Sequence, residues 1–465
     1  MSMIPERKRL KQTVLIGLVM SFLWLAGCAH PPAGISVPGP TLLPHTTRQM
    51  QMPGFWVNRS SSPDLTLMNH QEIETLNRHI QTTLAASVDL MDESLLQSGF
   101  ALISELEKEL SKLGSQPFFT PSGQAVDLEF LNKIKTLMNI PMIGEKIPVR
   151  YGVIVRFADQ RTLPTDDPVY GRPGDTDFDE LQNSALDLGT TVRILHESRD
   201  RRWCYVQSEL SGGWIRSEFI AGCDRNEALV WYRPQPFVVT VRAKADVFRD
   251  PGLTDYHETV RMGVCLPLIN GSGSAVTVKI PLRNASGDLI PGIGYLRVPA
   301  VHQGFLPATP RIIIEQAFEL HHAPYGWGGM YGEQDCSRFI QEVLATVGIR
   351  MPRNSADQAR VGHLTASFVE SDDTRSRYDI LSRSAEGGIT LLYMKGHIML
   401  YLGEVDDRHY AIHSTYAFRR PVNSMDQIVR VNRVAVSDLS LGQGSTRGSL
   451  ADRLVSMRKL RILDD

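Results

Sequence analysis

Tyr325-Gly326-Trp327-Gly328-Gly329 and, after five intervening residues, Asp335-Cys336-Ser337 stand directly before the run RFIQEVLATVG at 338–348. That run places apolar residues at Phe339, Ile340, Val343, Leu344 and Val347, the spacing of a helix with one buried face, and Gly348 suits its C-terminal end. Cys336 therefore falls at a helix N-terminus, where unpaired N–H groups and the helix dipole favour a thiolate. The glycines before it let backbone approach a bound molecule closely. A lone cysteine more often packs as a small apolar side chain, so the histidines decide.

His397 lies in KGHIMLYLG, a strand-like run in which it alone is suited to titrate near neutral pH, and His413 follows sixteen residues later in Ala411-Ile412-His413-Ser414. The turn-like EVDDRH between them allows a hairpin that puts both imidazoles on one face. A cysteine nucleophile needs such a base and a third group to orient it. His321, His322, His363 and His409 lack these contexts and are read as packing, capping or solvated side chains. The region 311–465 opens with the helical RIIIEQAFELHH and ends in strands, which implies an α+β domain.

Upstream, the texture changes twice. Residues 148–222 (VRYGVIV, TTVRILHES, WCYVQSE, GGWIRSEFI) and 236–306 (FVVTVRAKADVF, GVCLPLI, AVTVKIPL, GIGYLRVP) read as two small β domains of four or five short strands each. Residues 54–147 read as a mainly helical domain, with Leu95, Leu96, Phe100, Leu102, Ile103, Leu106 and Leu110 recurring mostly at three- and four-residue steps. The stretch 28–53, rich in proline and small polar residues, reads as a disordered tether.

The first 27 residues join a basic start (Arg7, Lys8, Arg9, Lys11) to a short apolar run from Val14 to Leu25, the pattern of an export signal. An exported compartment permits disulfides, and Cys204 and Cys223 are close enough in sequence for a bridge or for two buried thiols. No cysteine or histidine cluster has metal-ligand spacing, so no metal is expected. With 49 basic and 51 acidic side chains the chain has no basic stripe, which argues against nucleic acid as a partner.

These pieces carry three resemblances. Leu25-Ala26-Gly27-Cys28 resembles the lipobox of bacterial lipoproteins, which implies lipidation of Cys28; Ala29 behind it favours the outer membrane of a Gram-negative envelope, facing the periplasm. An ordinary cleaved signal or a simple anchor is the alternative. The elements GTTVRIL, RWCYV and GGWI resemble bacterial SH3-like modules. Y-x-W-G-G, D-C-S at a helix start, G-H-x-x-x-Y-L-G and I-H-S, in that order, resemble the NlpC-type, papain-like cell-wall cysteine endopeptidases.

The resemblance implies Cys336 as nucleophile, His397 as base and His413 as orienting residue, with Tyr325, Asp335, Ser337 and Ser355 lining the substrate groove and no cofactor. The order helical region, two SH3-like modules, papain-like domain is similar to the subgroup that cuts peptidoglycan stem peptides between γ-D-glutamate and the diamino acid. In that subgroup the first SH3-like module walls the site and selects a free N-terminal L-alanine. Two other readings stay open: a wall-binding lipoprotein without activity, and an amidase cutting between sugar and L-alanine. Arg338 departs from the family's D-C-S-G. It is expected to form an exposed pair with Glu342, the alternative being that it narrows the groove or attracts a stem-peptide carboxylate.

Overall fold

The computed structural model describes residues 41–92, 98–423 and 425–461. The leader 1–27, Cys28, the expected tether as far as residue 40, and Leu95 and Leu96 lie outside them. Among the described residues no helix is long and apolar enough to cross a membrane.

The expectation of a tether reaching Pro53 does not hold from Leu42 onward. Met50 is buried, its carbonyl accepts the Trp56 Nε1–H at 2.8 Å, and the carbonyl of His45 accepts the Tyr410 hydroxyl at 2.8 Å. A local composition of prolines and polar residues gave no hint of partners this far along the chain. Helix α1 (Pro53–Val57) follows, then α2 (His70–Thr82), whose start is fixed by a reciprocal capping box between Asn69 and Glu72. Trp56, Ile73, Leu76 and Ile80 bury into the core of the last domain. Helices α3 (Gly99–Ser115) and α4 (Leu128–Met138) instead pack Leu102, Leu106, Ile134 and Met138 on Trp203, Tyr205 and Trp214 of the first β domain, while Phe100 faces outward. Among the described residues, the helical region therefore has no core of its own.

The first β domain is one antiparallel sheet of seven strands, β1 (Tyr151–Ile154), β2 (Ala158–Arg161), β3 (Gln182–Leu186), β4 (Thr191–Glu197), β5 (Trp203–Gln207), β6 (Gly212–Arg216) and β7 (Ile220–Cys223), in the order β3-β2-β6-β5-β4-β1-β7. Helix α5 (Arg225–Tyr232), capped by Asp224, leads to the second. Its strands are β8 (Phe237–Thr240), β9 (Lys244–Phe248), β10 (Tyr256–Arg261), β11 (Cys265–Asn270), β12 (Ala275–Arg283), β13 (Leu289–Arg297) and β14 (Val301–Gln303), in the order β10-β9-β13-β12-β11-β8-β14. Taken place for place, the two orders are the same, so the second domain repeats the topology of the first. Each has more strands than its sequence suggests, because pieces such as Ala158-Asp159-Gln160-Arg161 carry no apolar alternation. Cys204 and Cys223 are free thiols.

The last domain opens with α6 (Pro310–Glu319), α7 (Cys336–Ala345) and the short α8 (Ser355–Gln358). Strand β15 (His363–Ser367), helix α9 (Thr374–Ser384) and strands β16 (Thr390–Met394), β17 (His397–Val405), β18 (Arg408–Val422), β19 (Met425–Asp438) and β20 (Leu454–Lys459) complete it. The sheet order is β15-β20-β16-β17-β18-β19. Helices α6 and α7 cover one face, α9 the other. A two-residue turn at Asp406-Asp407, both with positive φ, joins β17 to β18, the geometry that matches strand twist. This hairpin and α7 carry the three residues singled out above.

Candidate active site

Asp335 caps α7: its Oδ1 accepts the Arg338 N–H at 2.8 Å and leaves Cys336 at the first helical position. The helix is held by burial of Phe339, Ile340, Val343 and Leu344. Across from it, β17 begins at His397, and the backbone N–H of Ile398 reaches the Cys336 thiol. Leu400 pairs with Ile412 and His413 with Ala435, so His397, His413 and Ser437 stand diagonally on one face of three adjacent strands. The contacts follow: His397 Nε2 to His413 Nδ1 is 2.6 Å, and His413 Nε2 to Ser437 Oγ is 2.8 Å. The structure thus gathers Cys336, His397 and His413 from α7, β17 and β18.

Electrostatically the site differs from the thiolate expected at a helix start. Burial pushes the Cys336 thiol up to about 12, and the Asp335 carboxylate adds to the rise; N–H groups of Ile398 and Ser337 only partly oppose it. Burial also takes His397 down to about 4, with Arg453 reinforcing the shift, and holds His413 well below its ordinary range. The resting pair is a neutral thiol beside neutral imidazoles. The helix dipole is outweighed because the thiol is almost completely removed from water.

The expected groove residues divide. Tyr325 lies beside the thiol; burial raises its hydroxyl pKa, and the proximity of Cys336 and Asp335 raises it further. Ser355 opens α8 and is partly exposed. Asp335 and Ser337 are buried and bound to each other at 2.8 Å and to Arg353, whose Nη2 donates to Asp335 at 2.7 Å and whose Nη1 donates to Ser337 at 3.0 Å. Burial alone would raise the Asp335 carboxyl, but Arg353 holds it below its ordinary range. Arg353 also donates to Ser184 of β3 at 3.0 Å.

The first β domain meets this site. Phe178 packs edge-on against Tyr416 (4.6 Å between centroids), Trp327 (5.3 Å) and Tyr325 (6.3 Å). Asp177 accepts the Tyr416 hydroxyl and pairs with Arg430 at 2.9 Å. Gly328 and Gly329 have positive φ, and a Cβ on Gly328 would stand 2.8 Å from the Gln182 carbonyl. The glycines therefore admit β3 of the first β domain rather than a bound molecule.

Arg338 does pair with Glu342, at 2.9 Å, but is not exposed. It also reaches Asp187 of the first β domain at 2.9 Å, and Asp187 binds Arg261 of the second at 2.8 Å. Glu342 lies 3.8 Å from Arg261. Two cations and two anions thus close a buried quartet where three domains meet. Phe178, Arg353, Asp187 and Ser437 were not singled out from the sequence. Arg353 alone had a local signal, as the first residue of the RNSADQ that carries Ser355.

A thiol at a helix start, met by the backbone of a hairpin that carries two paired imidazoles, is the arrangement of a cysteine peptidase. The NlpC/P60 family model matches residues 322–427, which include Cys336, His397 and His413, and the SH3 domain (SH3b1 type) model matches residues 168–216. The chain carries an NlpC/P60 domain preceded by an SH3b domain. No curated protein matches it. Among solved structures it is similar to an NlpC/P60 endopeptidase from Photobacterium damselae subsp. piscicida (20% identity over 86% of this chain and 94% of that one, TM-score 0.71). It also matches an NlpC/P60 family protein from Bacillus cereus (17% identity over 67% of this chain and 100% of that one, TM-score 0.49). The Photobacterium match supports the fold across nearly the whole chain.

Proposed function

We propose that this chain is a peptidoglycan hydrolase that cuts stem peptides at the γ-D-glutamyl–diamino acid bond, with Cys336 as nucleophile. The observation that carries the reading is the 2.6 Å contact between His397 and His413 on the hairpin whose first strand touches the Cys336 thiol. Because thiol and imidazole rest neutral, the proton leaves the sulfur as it attacks the carbonyl, and His397 takes it. The tetrahedral oxyanion is met by backbone N–H at the start of α7. His397 then gives its proton to the departing diamino-acid amine, leaving a thioester on Cys336. Water, deprotonated by His397, hydrolyses the thioester and restores the thiol. His413 holds the ring of His397 in place throughout. No metal or cofactor enters.

Asp177 and Phe178 of the SH3b domain stand against the aromatic side of the site, which supports selection of a free N-terminal L-alanine amine by acidic side chains of that domain. Lipidation of Cys28 would hold the enzyme at the outer membrane, facing the periplasm, beside its substrate. Mass spectrometry of products from defined muropeptides tests the bond assignment: scission after D-glutamate is expected, and scission between sugar and L-alanine would identify an amidase instead. Cys336→Ala should remove turnover; turnover surviving in repurified Cys336→Ala would overturn the assignment.

A further inference from the structure

Two neutral imidazoles in contact can share hydrogens in two self-consistent ways. In one, His413 Nδ1 donates to His397 Nε2, which fills Nδ1 of His397 with a hydrogen and leaves that ring no lone pair for a thiol proton. In the other, His397 Nε2 donates to His413 Nδ1, and His413 must then carry its own hydrogen on Nε2. That nitrogen is fully buried and faces the Ser437 hydroxyl at 2.8 Å. Ser437 is itself fully buried, on β19, outside the segment matched by the family model.

We infer that Ser437 is a positioning residue for the reaction: by accepting the His413 Nε2–H it supports the tautomer that leaves His397 Nδ1 free to act as base. This rests on the proposed peptidase reading. The hydroxyl matters most once His397 has taken the thiol proton, because the imidazolium must keep donating through Nε2 and so needs His413 to stay protonated on Nε2 alone. The charged groups facing the pair are Asp335, at the cap of α7, and Arg453, before β20. The carboxylate favours the imidazolium and the guanidinium opposes it. Neither touches His413 Nε2, whose described partner is Ser437.

The test has two arms on the full-length protein. Nitrogen-15 NMR of histidine-labelled wild type near pH 7 should show His413 protonated at Nε2; protonation at Nδ1 overturns the inference with no variant required. Ser437→Ala should lower kcat about ten- to a hundredfold, the scale of one unmade buried hydrogen bond, with KM unchanged. It should also move the acid limb of kcat/KM to lower pH, since a less supported imidazolium loses its proton sooner. An unchanged kcat, or a lowered kcat with the acid limb and ring-nitrogen shifts unmoved, overturns it, because packing alone would then be the role. Failure of the parent reading would show separately, as turnover persisting in Cys336→Ala.

Discussion

Replacing Arg338 by methionine removes one of the two cations from the buried quartet while keeping much of its apolar stem. Asp187 would retain Arg261 at 2.8 Å, but Glu342 would keep only the 3.8 Å approach to Arg261 in place of its 2.9 Å bond to Arg338. The junction, neutral in the native protein, would then hold one uncompensated negative charge. Breaking a buried pair on one side costs about 3–5 kcal/mol, and Arg338 is only 16% exposed, so little of this is screened. Burial already raises the Glu342 carboxyl pKa, and losing Arg338 would raise it further. A carboxyl whose folded-state pKa exceeds its unfolded one stabilises at low pH and stops doing so as pH rises through the folded value. The deficit of Arg338→Met should therefore be smaller at pH 5 than at pH 8, and Arg338→Met with Glu342→Gln should recover most of it. Urea unfolding at both pH values measures this. A loss below about 1 kcal/mol, equal at both pH values, would show the quartet to be worth no more than a surface pair and refute the argument.

The low pKa of His397 gives a second expectation: kcat/KM should hold down to about pH 5 and fall only as pH drops through about 4, whereas a midpoint near 6.5 would mean the imidazole is not desolvated. Substituting His397 should cost nearly as much turnover as losing Cys336, and substituting His413 less, because an orienting group tunes a base rather than replacing it; steady-state kinetics gives the order. Acetylating the L-alanine amine of L-Ala-γ-D-Glu-diaminopimelate should cost about 2–5 kcal/mol in transition-state binding, while equal kcat/KM for both forms would point to an open groove. Cys28→Ser should shift the protein to the soluble fraction, and a variant still on membranes would remove the lipid anchor from the account.

Much of this was legible wherever the signal was local. A helix that starts at Cys336 and stops before Gly348, a strand around His397 and a hairpin to His413 each follow from short-range periodicity and turn chemistry, and together they define the site. What stayed hidden depends on distant pairing. Ser437 is one serine in an unmarked strand until the register of β18 and β19 sets it against His413. Phe178 and Asp187 belong to the SH3b domain and gain meaning only where that domain docks. The expected thiolate failed for a related reason: helix polarity can be read from sequence, but depth of burial cannot. Arg338 was read with the right partner and the wrong surroundings, since an i,i+4 pair looks the same whether or not another domain covers it.

The division of α1 and α2 from the rest of the helical region bears on how the chain is made. Trp56, Ile73, Leu76 and Ile80 belong to a core whose other half begins at α6. Synthesis at roughly 5–20 residues per second delivers that half roughly 10–50 s later. Throughout that interval two amphipathic helices wait without the surface they fit, while α3, α4 and the SH3b domain can close on each other. The last domain is also not a continuous stretch of chain: a fragment starting at Arg311 would lack the tryptophan that packs on Tyr410. Transplanting the last domain onto another scaffold would require carrying α1 and α2 with it.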